Sequence, residues 1–177
     1  MQRLPGDAEG VTELLSTDVR HLRRCLELAR EALDEGDEPF GSLLVSAAGV
    51  VLAEDHNRVA AGDRTQHPEF ALARWAAAHL APADRSCATV YTSGEHCPMC
   101  AAAHGWVGLG RIVIAASSEQ LASWLDELGV PATPVRMLPI GKIVPGLVVD
   151  GPFPEFANEV RELHQRFHSS PDRPQQT

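Results

Sequence analysis

An α/β fold of three layers, with helices on both faces of a mixed five-stranded sheet, is predicted for this chain of 177 residues. The main observation is that segments with helical periodicity alternate with short apolar segments typical of strands. Such alternation favours parallel strands joined by crossover helices, which then cover both sides of the sheet. A second observation is an Ala-Ala-Gly turn between two apolar runs, which predicts one antiparallel hairpin.

The first elements are one helix and this hairpin. A helix is predicted from Thr17 or Asp18, either of which can cap its start, to Gly36, a residue typical of helix ends. Its apolar face consists of Val19, Leu22, Leu26, Ala29 and Leu33. Residues 43–45 and 50–52 are predicted as strands on either side of the turn, and the helix should pack on the sheet that they begin.

Prolines mark the starts of the next two helices. Pro68 suits a first helical position, where its missing N–H group costs nothing, and this helix is predicted to stop at Pro82. Another helix is predicted to start at Pro98 for the same reason. The remaining predicted elements are strands at 88–92 and 111–116, a helix at 119–128, a fifth strand at 135–138 or 147–149, and a closing helix at 153–167.

Length and composition favour one domain, predicted at residues 16–168, with flexible polar ends at 1–15 and 169–177. The formal charge of −9 argues against nucleic acid as a partner, because phosphate binding depends on clustered Lys and Arg. No apolar stretch reaches the roughly 18 residues of a membrane span, so no membrane partner is expected. Since no signal segment is visible, the expected location is cytoplasmic.

The four cysteines fall into two groups. Cys97 and Cys100 form a Cys-x-x-Cys pattern, which favours metal binding over a disulfide framework because no export signal is visible. Cys25 lies on the apolar side of the first predicted helix, and Cys87 lies just before a predicted strand. Both are expected to be core or surface thiols without a function.

A His-Pro-Glu motif at His67 to Glu69 is followed about thirty residues later by Cys97-Pro98-Met99-Cys100. Alone, the cysteine pair would fit a redox pair or half of a structural zinc site. Together with His67 it supplies three zinc ligands, and three protein ligands leave a tetrahedral zinc one open position, as in catalytic sites. The motifs therefore predict a hydrolytic enzyme with one Zn²⁺ per chain, in which Glu69 carries protons.

These motifs resemble those of the cytidine deaminase superfamily, and the Cys-Pro-Met-Cys form resembles guanine deaminases and tRNA adenosine deaminases within it. The resemblance covers roughly residues 17–168 and includes the segments 38–42 and 55–58. It implies the cytidine-deaminase-like fold and hydrolytic deamination of a base or nucleoside. The sequence departs from the superfamily signature at one position, because His96 stands where a proline precedes the first cysteine.

The resemblance also suggests residues that contact the substrate. Asn57 matches the family asparagine that hydrogen-bonds the base, although it could instead cap a turn. His96 could line the pocket or be an exposed loop residue. In guanine deaminase relatives a C-terminal segment closes over the site, which makes Phe153, Glu155 and Phe156 pocket candidates. The alternative places Phe156 in the core and leaves Glu155 as a solvated first-turn acid.

The expected substrate is a small aminated nucleobase or nucleoside, with guanine or a related purine or triazine as first choice. A tRNA adenosine deaminase and a cytosine or cytidine deaminase remain as alternatives. A hypothesis of another class is a non-catalytic, zinc-stabilised assembly subunit, which would leave Glu69 without a role. The resemblance further implies a homodimer, in which the C-terminal segment could be exchanged, and residues 106–109 could lie at an interface or in the core.

Overall fold

Helices and strands alternate along residues 15–169, which the computed structural model describes. The helices are α1 (Ser16–Glu35), α2 (Pro68–His79), α3 (Pro82–Cys87), α4 (Pro98–Val107), α5 (Ser118–Glu127), α6 (Ile140–Ile143) and α7 (Pro154–Ser169). The strands are β1 (Gly41–Val45), β2 (Val51–His56), β3 (Thr89–Gly94), β4 (Ile112–Ala116) and β5 (Val149–Asp150). Except for Leu15 and Ser169, the ends predicted to be flexible at 1–15 and 169–177 lie outside the described residues.

The strands form one mixed sheet in the order β2-β1-β3-β4-β5. β1 is antiparallel to both of its neighbours, β2 through the predicted hairpin and β3 across the middle of the sheet. β3, β4 and β5 are mutually parallel, as helical crossovers between them require. The predicted α/β fold with a mixed five-stranded sheet is therefore confirmed.

Alternate residues of the central strands point to opposite faces, and each face is covered by helices. Leu43 of β1 packs in a core with α1, α5 and α7, whereas its neighbour Leu44 packs in a second core with α2, α4 and α6. The same division holds for Val113 and Ile114 of β4. The fold thus has three layers, as predicted, and the layer formed by α2 and α4 carries both metal motifs.

The start of α1 differs from the prediction. Neither Thr17 nor Asp18 caps the helix, since Leu15 occupies the cap position and makes no side-chain capping bond. Asp18 instead lies in the first turn with its carboxylate buried against Arg111, which donates two hydrogen bonds of 3.0 and 3.1 Å to it. Tyr91 donates a third, of 2.6 Å, so the carboxylate is used between elements and is not available as a cap.

Other local differences concern short elements and one side chain. Pro82, predicted to stop α2, also begins the short helix α3, because proline suits a first helical turn. The fifth strand is Val149–Asp150, so the candidate segment 147–149 contributes and 135–138 does not. In segment 106–109, Leu109 is buried as core residues are, but the Trp106 side chain is 91% exposed.

α1 lies directly on the first residue of β1. A Cβ atom at Gly41 would come within 2.4 Å of the Leu28 Cβ atom and 2.5 Å of the Cys25 carbonyl oxygen, so only glycine fits. Cys25 is fully buried in this contact, and Cys87 is exposed at the end of α3. Among residues 15–169, no helix is both long and apolar enough to cross a bilayer.

We expect Arg111→Met to lower the free energy of unfolding by about 3–5 kcal/mol, because it leaves the buried Asp18 carboxylate without its cation. Burial raises the pKa of Asp18, but the hydrogen bonds from Arg111 and Tyr91 outweigh it and lower the pKa overall. This stabilisation is present above the unfolded pKa of about 3.9 and is lost as the pH falls through the folded pKa.

Urea denaturation of the wild type and the variant from pH 7 to pH 3 measures the difference. A matched control is Arg161→Met, whose exposed ion pair with Glu127 should contribute less than about 1 kcal/mol. Equal losses in the two variants would contradict the role given to the buried pair.

Candidate active site

Three potential metal ligands project from the starts of α2 and α4. His67 is the N-cap residue of α2, and Cys97 is the N-cap residue of α4, each followed by a proline at the first helical position. Cys100 lies in the first turn of α4 and faces the same way as Cys97. Because α2 and α4 pack side by side on one face of the sheet, their first residues meet at one edge.

The three ligand atoms form a nearly equilateral triangle, which we call the metal triad. His67 Nδ1 is 3.6 Å from the sulfur atoms of both Cys97 and Cys100, and the two sulfur atoms are 3.6 Å apart. Zinc bonds of about 2.3 Å to sulfur and about 2.0–2.1 Å to nitrogen place donors about 3.6–3.8 Å apart in a tetrahedron. The soft thiolates and the imidazole therefore fit one zinc ion, with room for a fourth ligand that the triad does not supply.

The donors of the metal triad share protons unequally. The Cys100 thiol and His67 stabilise the Cys97 thiolate and lower its pKa to about 4, against the opposing effect of burial. Burial opposes the charged form of His67, but its contact with Cys97 and the charge of Glu69 raise its pKa to about 9. The neighbouring Cys97 sulfur, followed by burial, raises the pKa of Cys100 well above its ordinary value. These shifts favour one thiolate in the cysteine pair, beside a protonated His67, when no metal is bound.

The Glu69 side chain is buried beside the triad, in the first turn of α2. Its Oε1 atom lies 3.1 Å from the Ser42 hydroxyl and 3.2 Å from the Thr92 hydroxyl. Burial raises the pKa of Glu69, although the positive charge of His67 acts in the opposite direction. A carboxyl group with a raised pKa can accept and return a proton near neutral pH.

Asn57 follows β2 and is completely buried. Its Oδ1 atom accepts a hydrogen bond of 2.9 Å from the backbone N–H of Val59, so the turn-capping interpretation is correct. The Nδ2 atom is buried and has no hydrogen-bond partner among the described residues. Asn57 therefore retains an unused donor in addition to its structural role.

His96 is 1% exposed, so the interpretation of this residue as an exposed loop histidine is wrong. Its ring packs edge-on against His104, with 5.3 Å between the ring centroids, and its Nδ1 atom has no partner within residues 15–169. Burial keeps the pKa of His96 well below its ordinary value, so the ring is neutral.

The C-terminal candidates lie at or just before the start of α7, which packs on the face of the sheet opposite to α2 and α4. Phe156 is fully buried in the core shared by α1 and α7, and the Arg23 guanidinium lies 4.8 Å from its ring centroid. This position supports the core interpretation and corrects the pocket assignment of Phe156. Glu155 is exposed at the start of α7, as a solvated acid would be, and the half-buried Phe153 packs against the same core as Phe156.

Two contacts at the end of β3 had no sequence prediction. Glu95 accepts hydrogen bonds from the backbone N–H and hydroxyl of Ser118, at 2.8 and 2.9 Å, and from the Ile140 N–H at 2.7 Å. Gly94 lies against the Phe40 ring, which would be 2.9 Å from a Cβ atom at that position. The first contact ties the loop before Cys97 to the starts of α5 and α6.

Sequence reasoning also did not identify Ser42 and Thr92 as neighbours of Glu69. Ser42 is a small polar residue in an otherwise apolar strand, which was the available signal, whereas Thr92 is one of several polar residues in β3. Their meeting depends on the antiparallel register of β1 and β3, and that pairing joins strands separated along the chain by β2, α2 and α3. Periodicity within one strand carries no information about such a register.

The fold and the donor set define a zinc hydrolase centre. Residues 15–116 match the family model described as the cytidine and deoxycytidylate deaminase zinc-binding region, a span that contains the metal triad and Glu69. The chain belongs to this family of deaminases. The enzyme class expected from the motifs, a zinc hydrolase that acts on C–N bonds, is thereby confirmed.

Relatives with three different substrates resemble the chain. The probable cytosine deaminase of Schizosaccharomyces pombe is 35% identical over 118 residues, which cover 67% of this chain and 72% of that protein. The tRNA-specific adenosine deaminase of Haemophilus influenzae is 33% identical over 101 residues, 56% of this chain and 58% of that protein. The structure of guanine deaminase from Nitrosomonas europaea superposes with a TM-score of 0.67 at 21% identity and 90% coverage of both chains, which supports the fold.

We expect uptake of one zinc ion at pH 7 to release about two protons, because the His67 imidazolium and the Cys100 thiol must lose theirs and Cys97 is already a thiolate. Zinc titration of the metal-free protein in weak buffer with a pH indicator measures this release. Affinity should fall as the pH falls, since protons compete with the metal.

Cys87→Ser is the matched control, because this exposed thiol should leave the proton count unchanged. Cys100→Ser should weaken binding and lower the count. Release of a proton from every one of the three donors would contradict the thiolate state of Cys97.

Proposed function

We propose that the protein catalyses zinc-dependent hydrolytic deamination of a small aminated nucleobase or nucleoside, with guanine or a related purine or triazine as the first choice. The observation that carries the proposal is the buried Glu69 carboxylate beside three donors spaced 3.6 Å apart. A non-catalytic assembly subunit would need the metal triad for stability but would have no use for a buried acid next to it. An unneeded buried carboxyl group is costly, which favours catalysis.

In this mechanism His67, Cys97 and Cys100 would hold the zinc, whose Lewis acidity would make water a better nucleophile near neutral pH. Glu69 accepts one proton of the attacking water and delivers it to a ring nitrogen of the base. The carboxylate then takes the second proton of the same water, from the hydroxyl group now bonded to the ring carbon, and passes it to the departing amine, which leaves as ammonia. Its burial suits both steps, because a raised pKa brings its two forms closer in free energy near neutral pH.

Asn57 supports a substrate that carries an oxo group. Its Oδ1 atom already accepts a backbone N–H, so the Nδ2 donor, which has no partner among the described residues, is the group available to a ligand. A carbonyl oxygen is the natural acceptor for this donor, and guanine and cytosine both carry one, whereas adenine offers only ring nitrogens. We therefore place guanine first and cytosine second, and the resemblance to the Schizosaccharomyces pombe protein favours the second candidate.

The charge distribution supports a small substrate over tRNA. Arg161 of α7, one of the basic residues that a nucleic-acid surface could use, pairs with Glu127 at 2.6 Å. Arg23 and Arg30 both contact Glu159 of the same helix. With a net charge of −9, these pairings leave little unpaired positive charge along α7 for a phosphate backbone.

Association and location are further parts of the proposal. We propose a homodimer, supported by the Trp106 side chain, which is too exposed for a monomer to gain from its apolar surface. α7 packs against α1 and β4 of its own chain, which favours a dimer without exchange of this helix. Sedimentation equilibrium measures the state of association.

We also propose a cytoplasmic location, which suits a nucleobase substrate. Fractionation of expressing cells would test this location.

Ammonia release from guanine, cytosine, cytidine, adenosine and a tRNA anticodon stem, with zinc-loaded protein, tests the function. We expect turnover of guanine first, and a decrease of about 10²–10⁴-fold in Glu69→Gln, because the amide cannot carry the proton. Zinc content of this variant should stay at the wild-type value, since Glu69 is not a ligand. Glu119→Gln, a change of an exposed carboxylate in the first turn of α5, is the matched control and should keep full activity.

Turnover of the tRNA stem alone would replace the small-base proposal. Zinc-replete protein that releases ammonia from none of these substrates would favour the assembly role. Full activity of zinc-loaded Glu69→Gln would refute the proton-carrying role of Glu69.

We expect Asn57→Asp to lower kcat/KM for an oxo-bearing base by about a hundredfold. An aspartate oxygen can still accept the bond from the Val59 N–H, so the turn is retained. The other position then presents an acceptor to the carbonyl oxygen of the base, and two acceptors repel. Steady-state kinetics with guanine and cytosine measure the loss, and unchanged kcat/KM with both bases would remove Asn57 from the binding site.

A further inference from the structure

Two hydroxyl groups from neighbouring strands meet on one oxygen of Glu69. Ser42 of β1 and Thr92 of β3 are directly opposite each other in the antiparallel register, and both are completely buried. Their hydroxyl oxygens are 3.0 Å apart, and each lies within 3.2 Å of Glu69 Oε1. We call this three-residue contact the carboxyl brace.

Each hydroxyl has one proton to donate, which limits how the carboxyl brace is bonded. The shortest contact of the Thr92 hydroxyl is 2.7 Å to the backbone carbonyl of Gly94, a group that can only accept. The Ser42 hydroxyl can share its proton between Oε1, at 3.1 Å, and the Thr92 oxygen, at 3.0 Å. Thr92, whose own proton is used by Gly94, therefore orients the Ser42 hydroxyl as an acceptor, and Ser42 supplies the bond to the carboxylate.

A brace is needed because the last torsion of a glutamate side chain is poorly defined by sterics. Rotation about this bond exchanges the two carboxyl oxygens over a broad range of angles. The hydroxyls that fix one oxygen belong to the two central strands of the sheet, which are held by backbone hydrogen bonds on both sides. In the described residues, the contacts that the two hydroxyls make with Glu69 are both to the same oxygen, Oε1.

We propose that Ser42 and Thr92 are positioning residues that hold Oε1 of Glu69 against the sheet, so that Oε2 transfers the protons of the reaction. The inference rests on the proposed function, since it assigns the proton-carrying role to one of two oxygens. The brace allows the carboxyl group to present the same atom at each step, which avoids a rotation between accepting a proton and delivering it.

The kinetic test uses Thr92→Val, which removes the hydroxyl and keeps the shape of the side chain. We expect kcat to fall about tenfold while KM changes less than about twofold, because orientation of the acid and not binding is lost. Thr92→Ser should restore most of kcat, since it returns the hydroxyl. The matched control is Thr89→Val, the same change at the other end of β3, paired with Val45 and not with Ser42.

Cobalt-substituted Thr92→Val should keep the wild-type visible absorption, which reports an intact metal triad. A kcat within about twofold of that of Thr89→Val would overturn the proposal, and so would a loss that Thr92→Ser fails to restore. Ser42→Ala provides a second variant with the same expected loss, and the double variant should lose little more than either single one, because the two hydroxyls act as a unit.

A crystal structure of the zinc-loaded protein tests the brace without turnover. Glu69 should show one carboxyl orientation in the wild type and more than one in Ser42→Ala/Thr92→Val. A single, unchanged orientation in the double variant would overturn the proposal. If wild-type protein releases no ammonia from any substrate, the proposed function fails, but the two orientations still decide whether the hydroxyls hold the carboxyl group.

Discussion

The rest of the structure depends on one constraint: side-chain donor atoms from two helix starts must lie 3.6 Å apart. Cys97, Cys100 and Glu69 place several acidic groups in a partly buried volume, where unbalanced negative charge is costly. The first turns of α2 and α4 offset this cost, because helix N-termini present unpaired N–H groups and partial positive charge. A metal cation bound by the triad would supply the remaining compensation. The two helices must therefore start at one edge of the sheet and pack against each other.

The sheet satisfies this constraint through the order of its strands. β3 and β4 are parallel and adjacent, so the chain leaves both at the same edge, where ligands commonly bind in open α/β sheets. Glu95 then joins three helix starts at that edge: it lies three residues before α4 and accepts hydrogen bonds from the first residues of α5 and α6. Its carboxylate has three donors, so the loop that presents Cys97 is tied to the starts of both helices. Movement of this loop would break bonds in several elements at once.

The residue types in short segments of the sequence predicted much of this arrangement. The roles that they did not predict depend on strand register and on burial. Proline at a first helical position and a ligand just before it place His67 and Cys97 without knowledge of the tertiary structure. Phe156 was ambiguous because helical spacing indicates an apolar face and not what covers it. His96 was harder still, since its burial depends on tertiary packing, which includes its contact with His104 of α4. Ser42 required the β1–β3 register, which no single segment contains.

The contrast between local sequence chemistry and tertiary packing also explains why the reaction type is better defined than the substrate. Metal chemistry needs few atoms at fixed separations, and residues at two helix starts provide them within one layer of the fold. Recognition of a base would instead use groups left over from structural bonds, and the donor proposed for it is Nδ2 of Asn57, whose partner atom already holds a turn. A leftover donor limits the ligand to one with a suitable acceptor, but several bases meet that condition. Relatives that share this centre can therefore differ in substrate through changes in the surrounding loops, while the carboxyl group and the metal triad remain in place.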